Sequence, residues 1–353
     1  MKKIPDKSKR PIKPGSTEFS FIEALRQRTI GQIGQPSLIH GIGDDAAIIQ
    51  KDAKTDLVVT TDLLVEEIDF RRDWAIPELL GHKALAVSLS DVAAMGAVPR
   101  WAMVSIGLPA ARWRAGFLKK FYDGWFALAE QVGVQLIGGD TSSTPDHIVI
   151  DSMVLGEVRR GRAVMRSGAR PGDQIYVTGQ LGGAAGGLGS LQAGSRLHIS
   201  ARHRKKVSAT EALLLRQLRP SARTAWGKLL GDKRLATAMI DISDGLSSDL
   251  AHICRASGAG ALVEAEAIPV DQHLRSIEMN SSKTLGLALN GGEDFELLFT
   301  VSADKAKKLT TEVEGVPVAR IGEITDRSGQ ILINENGRWT ALEAAGFDHF
   351  SNG

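Results

Sequence analysis

Hydrophobic patterns typical of strands and of helices alternate along this chain, and one polar connector at 159–173 (RRGRAVMRSGARPGD) interrupts them. The connector is rich in turn-forming residues, whereas the segments on both sides have the periodicity of strands or helices. This order predicts an α/β (α+β) fold of two domains, each a mixed sheet covered by helices. We place a basic tail at 1–15, an N-terminal domain at 16–157 and a C-terminal domain at 158–353.

Several elements can be predicted individually. Ser20 and Glu23 fit a capping box that opens a helix to about residue 28. Pro77 suits the first turn of a helix over 78–95, which Gly96 ends. Further strands are predicted at 56–61, 101–108, 134–137, 147–157, 174–178, 237–241, 261–264, 295–301 and 317–323, and further helices at 112–132, within 209–230, at 246–257 and at 303–312.

Composition excludes several classes of protein. Cys254 is the single cysteine, which excludes an intramolecular disulfide and a cysteine-cluster metal site. No apolar run approaches the roughly 20 residues of a membrane span, so we expect a cytoplasmic protein. The tail at 1–15 has six Lys/Arg and one Asp, and we expect it to be solvated and disordered. The rest of the chain has no basic footprint for nucleic acid.

Acidic residues recur beside Gly, Thr or Ser, near the predicted strand ends. Hard divalent cations prefer such oxygen ligands, and a cation would offset the repulsion between neighbouring carboxylates. Because no paired His or Cys motif is present, Mg²⁺ with a phosphate substrate is favoured over zinc. The set comprises Asp44 and Asp45 (GIGDDAA), Asp62 (TTD), Asp91 (LSDVAAMGA), Asp140 (IGGDTSS), Asp241 and Asp244 (DISDG), and Glu293 and Asp294 (GGEDFEL).

Structural roles are the alternatives for these residues. A single Asp beside Gly commonly forms a turn or caps a helix, and Asp244 could cap the helix that follows it. Arg166 is either a phosphate contact or a surface residue of the connector. The Gly-rich segment 181–189 could present backbone N–H groups to phosphate, or form a flexible loop before a helix. GIGDDA at 41–46 matches a dinucleotide fingerprint, but its two carboxylates would repel a pyrophosphate.

Eight motifs, in order, resemble the thiamine-monophosphate kinase family from about residue 18 to 350. They are GIGDDAA, TTDLLVE, KALAVSLSDVAAMGA, IGGDTSS, RSGARPGD, DISDGLSSDL, GGEDFELLF and GFDHF. The resemblance implies an aminoimidazole-ribonucleotide synthetase-like fold of two domains and a homodimer in which the N-terminal domains pair. It also implies transfer of the γ-phosphoryl group of ATP to thiamine monophosphate, with several Mg²⁺ ions.

The same resemblance implies roles for matching positions. Metal ligands would be Asp45, Thr60, Thr61, Asp62, Asp91, Asp140, Asp241 and Asp244. ATP contacts would be Gly139, Arg166 and Ser243. Substrate contacts would be Glu293, Phe347 and position 69, where Asp69 replaces the usual histidine of the family. A carboxylate at position 69 would repel the substrate phosphate unless a metal lies between them.

Two other functions are compatible with these motifs. One is the reaction of another ATP-dependent member of the superfamily, such as an aminoimidazole-ribonucleotide synthetase-like enzyme. The other is a catalytically degenerate Mg-nucleotide binding protein, for which Asp69 is the only support. The combination of GGEDFELLF with GFDHF favours the thiamine-monophosphate kinase reaction.

Overall fold

The computed structural model describes residues 18–29, 35–114, 116–197, 207–278 and 280–346. The predicted tail and Phe347 lie outside them. The helices are α1 (Glu18–Thr29), α2 (Pro77–Ala94), α3 (Ala110–Arg114), α4 (Phe117–Val132), α5 (Gly183–Gln192), α6 (Ala209–Leu218), α7 (Thr224–Asp232), α8 (Leu246–Ser257), α9 (Gln272–Ile277), α10 (Ser281–Asn290) and α11 (Ala303–Ala306).

The strands form two sheets, and in the sequence the connector 159–173 joins the last strand of the first sheet to the first strand of the second. The first sheet has the order β1-β2-β3-β6-β4-β5 and the second has the order β14-β13-β9-β12-β7-β10-β8, with β11 paired to β12. The strands are β1 (Leu38–His40), β2 (Ala47–Gln50), β3 (Thr55–Val65), β4 (Val98–Leu108), β5 (Gln135–Ser143), β6 (Val149–Arg159), β7 (Gln174–Thr178), β8 (Ala236–Asp241), β9 (Gly260–Glu264), β10 (Leu297–Val301), β11 (Glu312–Val313), β12 (Val316–Thr325), β13 (Ile331–Glu335) and β14 (Arg338–Ala341).

Helix α2 lies at the centre of the molecule. Pro77 occupies its first turn, as the sequence predicts, and most of its residues are buried. One side packs on the first sheet and on α4, while Ala93 and Ala94 join a cluster with Trp226 and Phe299 of the second half. A helix that is apolar on nearly all sides is a core helix. Side chains on α2 are therefore held rigidly between the two sheets.

Glycine permits the close contact between α2 and α4. A Cβ at Gly81 would lie 1.9 Å from the backbone oxygen of Phe121, and one at Gly124 would lie 1.8 Å from that of Glu78. We expect Gly124→Ala to lower the free energy of unfolding by about 2–3 kcal/mol, because the helices must separate. Urea denaturation followed by tryptophan fluorescence measures this change.

Gly189→Ala on α5 is the matched control, since a Cβ there meets no atom within 4 Å. Alanine has the higher helix propensity, so this variant is expected to be as stable as the parent or more stable. Equal destabilisation by the two substitutions would contradict the steric explanation.

Several predicted elements differ from the structure, and four of them show the physical reason. Helix α1 begins at Glu18, so Ser20 lies inside the helix instead of capping it, and Glu23 binds Arg26. The helix predicted at 112–132 is divided, because Gly116 adopts a left-handed φ of 70° between α3 and α4. Strand β5 extends beyond 137 to Ser143 through its parallel pairing with β4. The helix predicted at 303–312 ends at Ala306.

Candidate active site

Three carboxylates from distant parts of the chain meet between the two sheets. Asp45 precedes β2, Asp91 lies near the end of α2, and Asp241 is the last residue of β8. One oxygen from each lies within 4.8 Å of the others. We call these three residues the carboxylate cluster. The sequence predicted all three as metal ligands, and the fold brings them together.

Ionising all three carboxyl groups of the cluster is unfavourable without a compensating cation. Burial, with the nearby charge of Asp45 as a further cause, raises the pKa of Asp241 to about 8. Burial also raises the pKa of Asp91 well above its ordinary value, and Asp62 and Asp241 add to this effect. Thr60 offsets part of the cost, since its Oγ1 donates to Asp91 Oδ2 at 2.5 Å.

The available ligand atoms fit a hard divalent cation. Oδ2 of Asp45 and Oδ2 of Asp62 are buried, yet neither has a hydrogen-bond partner among the described residues. The cluster supplies only oxygen atoms, which Mg²⁺ prefers. Buried carboxylates without enough donors are costly, and a cation would compensate them.

The side chains of Thr60, Thr61 and Asp62 do not all lie on one face of β3, because successive side chains of a strand point to opposite faces. Thr60 and Asp62 lie on the same face of β3 as α2, and burial raises the pKa of Asp62 to about 6. Thr61 lies on the other face and donates to Asp151 of β6. Asp151 is not among the predicted site residues, although a carboxylate inside the apolar run of 148–156 was a visible signal.

Arg166 binds the cluster directly. Its Nη2 lies 2.5 Å from Asp45 Oδ1, and its backbone N–H donates to the carboxylate of Asp44 at 3.1 Å. Burial alone would lower the pKa of Arg166, but Asp45 and Asp44 raise it above the ordinary value. Burial and the charge of Asp45 raise the pKa of Asp44 to about 7. The reading of Arg166 as a surface residue of the connector is therefore wrong.

Gly139 and Asp140 lie on the edge strand β5, outside the carboxylate cluster. Asp140 is exposed, and its carboxylate accepts the N–H of Thr141 at 2.8 Å. Gly139 has a φ of 150°, and a Cβ there would lie 1.9 Å from the backbone oxygen of Val104. Position 139 therefore requires glycine for steric reasons.

Asp244 does not cap α8. The helix begins after Gly245 without a side-chain cap, and Asp249 instead accepts the N–H groups of Asp244 and Gly245 at 3.3 and 3.1 Å. Burial raises the pKa of Asp249 well above its ordinary value, and Asp244 and Asp241 add to this effect. Asp249 was missed, although its place in the first turn of a predicted helix was a signal.

A cleft of about 600 Å³ adjoins this region, and both halves of the chain line it. Its polar lining includes Asp62, Asp69, Gln217, Ser243, Asp244, Asn290 and Glu293. Its apolar lining includes Leu63, Leu64, Ile68, Trp74, Val87, Leu188 and Phe295. The cleft therefore offers a charged end beside Asp62 and apolar walls suited to a ring system.

Asp69 and Glu293 both line this cleft, but their surroundings differ. Asp69 Oδ2 accepts the N–H of Val65 at 2.7 Å, so this oxygen is engaged by its own loop. Glu293 has an unusual positive φ of 64°, and its Oε1 lies 2.7 Å from the ammonium of Lys83. Gly346 also lines the cleft, next to the predicted contact Phe347, which lies outside the described residues.

The Gly-rich segment forms helix α5 instead of a loop. Asp294 accepts the N–H groups of Gly182 and Ala184 at 2.6 and 3.1 Å, at the start of this helix. Asp294 therefore occupies two of the backbone N–H groups that could have been offered to phosphate.

Among the described helices, none is long and apolar enough to cross a membrane.

The fold and the cluster correspond to a known class. Residues 43–158 match the family "AIR synthase related protein, N-terminal domain", and residues 170–334 match "AIR synthase related protein, C-terminal domain". Within this class, the chain belongs to the thiamine-monophosphate kinase family, as the following relatives indicate.

Thiamine-monophosphate kinase of Salmonella typhimurium is 40% identical over 95% of this chain and 98% of its own length. The Bacillus subtilis protein of the same name is 34% identical over 94% of this chain and 99% of its own length. A solved structure, AaThiL complexed with AMPPCP and TMP, is 31% identical with a TM-score of 0.78, and the match covers 94% of this chain and 97% of that one. The predicted fold class and family are thus confirmed.

Proposed function

We propose that this chain is an ATP-dependent phosphotransferase that converts thiamine monophosphate and ATP into thiamine diphosphate and ADP. The observation that supports this most strongly is the carboxylate cluster beside a cleft with apolar walls. Relatives named thiamine-monophosphate kinase, and one solved with AMPPCP and TMP, support the same reaction.

The carboxylate cluster, with Asp62 and Thr60, would hold Mg²⁺. When bound, the ions supply positive charge between the phosphates of donor and acceptor, which would otherwise repel each other. Thr61, Asp140 and Asp244 remain proposed ligands on the basis of the family resemblance. Gly139, Arg166 and Ser243 remain proposed ATP contacts, and the ion pair between Arg166 and Asp45 of the cluster supports the assignment of Arg166.

The transfer itself requires no nucleophile from the protein. An anionic oxygen of the acceptor phosphate bonds to the γ-phosphorus of ATP, the bond from that phosphorus to the β–γ bridging oxygen breaks, and ADP leaves. Because the attacking oxygen is already deprotonated at neutral pH, no general base is needed. Cys254 is unsuited to covalent catalysis, since burial raises the pKa of its thiol to about 12.

The cleft would bind the acceptor. Trp74, Leu188 and Phe295 provide apolar contacts for its rings, and Glu293 provides a carboxylate. Phe347 remains a proposed ring contact, because a cationic ring stacks favourably on an aromatic face. Asp69 remains a proposed substrate-side residue, and its Oδ2 accepts the N–H of Val65.

We also propose a homodimer formed through the first sheet. Nearly every residue of its edge strand β5 is exposed, including the apolar Ile137, which is 51% exposed. A long exposed edge strand with apolar side chains favours pairing with another chain. A second copy of this chain, seated there, would cover these side chains.

The proposed reaction can be tested directly. The purified chain is incubated with ATP and thiamine monophosphate, with Mg²⁺ or with a chelator, and thiamine diphosphate is measured by chromatography. We expect stoichiometric thiamine diphosphate and ADP with Mg²⁺ and no product with the chelator. Binding of ATP without product would refute the proposed reaction and support a degenerate nucleotide-binding protein.

A further inference from the structure

Lys83 is a buried cation at some distance from the carboxylate cluster. It lies on α2, is 3% exposed and therefore needs a partner, because lysine is seldom buried unpaired. Its Nζ lies 2.7 Å from Glu293 Oε1 and 3.3 Å from the backbone oxygen of Asp69. Both partners line the cleft, and Glu293 belongs to the second half of the chain. Lys83 thus connects the two halves beneath the cleft.

Glu293 is held on three sides. Its Oε1 faces Lys83, its Oε2 accepts from the side-chain amide of Gln217, and its backbone N–H donates to the backbone oxygen of Ser243 at 2.8 Å. The left-handed backbone at Glu293 (φ 64°) is costly for a residue with a side chain. Such strain persists only where the surroundings impose it. The contacts therefore hold the carboxylate in one orientation at the cleft wall.

Lys83 and the cluster residue Asp91 lie on the same helix, α2. Lys83, Val87 and Asp91 are spaced four residues apart, so they share one face of the helix. Val87 lines the cleft, and Asp91 belongs to the cluster. Eight residues of helix correspond to about 12 Å. Lys83 and Glu293 thus lie farther along the cleft than the cluster does. The part of the acceptor remote from its phosphate would bind beside them.

We propose that Lys83, together with Gln217, is a positioning residue that orients Glu293 to accept a hydrogen bond from the amino-substituted ring of the acceptor. This inference rests on the proposed function. A carboxylate offers about four lone-pair sites, so Glu293 can accept from Lys83, from Gln217 and from a ring amine together. Hydrogen bonds to an ionised acceptor are the stronger kind. Without Lys83, the carboxylate loses the charge that holds it in place.

The test is Lys83→Met, with kcat and KM measured separately for each substrate. We expect KM for thiamine monophosphate to rise by ~10–100-fold, with kcat and KM for ATP within about two-fold, because only acceptor binding is affected. Lys83→Arg keeps the cation and should recover part of the affinity. Lys119→Met, at an exposed lysine of α4 paired with Asp123, is the control and should change nothing.

A double-mutant cycle separates positioning from a general structural effect. If Lys83 acts through Glu293, Lys83→Met/Glu293→Gln should have no higher KM for the acceptor than Glu293→Gln alone. Lys83→Met should also reduce the preference for thiamine monophosphate over its analogue with hydroxyl in place of the ring amine. Should Lys83→Met fail to fold, Gln217→Leu tests the same contact without leaving a buried charge unpaired and should raise the same KM.

If the parent is active and folded Lys83→Met has an unchanged KM for the acceptor, the role of Lys83 is overturned and the proposed function is not. Additive effects in the cycle would overturn the role of Lys83 as well. A parent protein that makes no thiamine diphosphate would overturn the proposed function and this assignment together.

Discussion

Replacing Asp91 with asparagine is expected to lower kcat for thiamine diphosphate formation by on the order of 10³-fold. Asp91 is the cluster residue that α2 supplies, and its oxygen lies within 4.8 Å of those of Asp45 and Asp241. Asparagine keeps the shape of the side chain but removes the negative charge. The substitution therefore removes a proposed metal ligand without disturbing the packing of α2. The rate is measured at saturating ATP and thiamine monophosphate over a range of Mg²⁺ concentrations.

The fold of this variant should be preserved. Burial and neighbouring carboxylates raise the pKa of Asp91, so removing one charge relieves repulsion in the metal-free protein. We expect the thermal midpoint without metal to be equal to that of the parent or higher. Asp123→Asn, on the exposed side of α4, is the control and should retain full activity. Turnover of Asp91→Asn near the parent rate at saturating Mg²⁺ would contradict the role of the cluster.

The second large effect is a loss of stability on raising the pH without metal. The pKa of Asp241 is raised to about 8 and that of Asp44 to about 7, in both cases chiefly by burial, and burial also raises that of Asp91 well above its ordinary value. A raised carboxyl pKa means that the folded state holds protons that the unfolded state has released. Stability from these groups is therefore lost as the pH rises through their folded pKa values.

The window from pH 6.5 to 8.5 includes most of this effect. Burial lowers the pKa of His252 to about 4, which costs stability only as the pH falls below the ordinary histidine value. In a chelator, the thermal midpoint should fall by roughly 5 °C or more between pH 6.5 and 8.5. Mg²⁺ should reduce this fall, since a bound cation compensates the ionised carboxylates.

Differential scanning calorimetry at the two pH values, with chelator and with Mg²⁺, measures both effects. Asp241→Asn should show a smaller fall in chelator than the parent, because one of the titrating groups is gone. A midpoint that rises with pH in chelator would contradict the assigned direction. An equal gain from Mg²⁺ at both pH values would show that the cation binds elsewhere.

Local signals in the sequence were sufficient for much of this fold. The strand Gln174–Thr178 and the helix Leu246–Ser257 have the predicted bounds, because hydrophobic periodicity with Gly and Pro at the ends determines them. Strand β5 was predicted too short, since its polar half is stabilised by pairing with β4, which lies far away in sequence. For a similar reason, the Gly-rich segment 181–189 was expected to be a phosphate-binding segment or a flexible loop before a helix, and α5 was not predicted there. Asp294 stabilises its N-terminus from more than a hundred residues away.

The candidate site, too, was predicted from the sequence only in part. Asp45, Asp91 and Asp241 were visible because each is an acidic residue in an unusual Gly-, Ser- or Thr-rich context. Asp249 and Lys83 were missed, because only tertiary contacts show what they hold: the backbone at Asp244 in one case and Glu293 in the other. The opposite directions of Thr60 and Thr61 follow from strand alternation, once β3 is known to run through both residues.

The most direct test of the metal site is Mn²⁺ binding measured by electron paramagnetic resonance, with AMPPCP present, for the parent chain and Asp91→Asn. Mn²⁺ prefers the same oxygen ligands as Mg²⁺ and is observed directly when free in solution. We expect saturable Mn²⁺ binding by the parent, displaced by Mg²⁺, and a loss of that binding in Asp91→Asn. Identical Mn²⁺ binding by the two proteins would contradict the assignment of the cluster as the metal site.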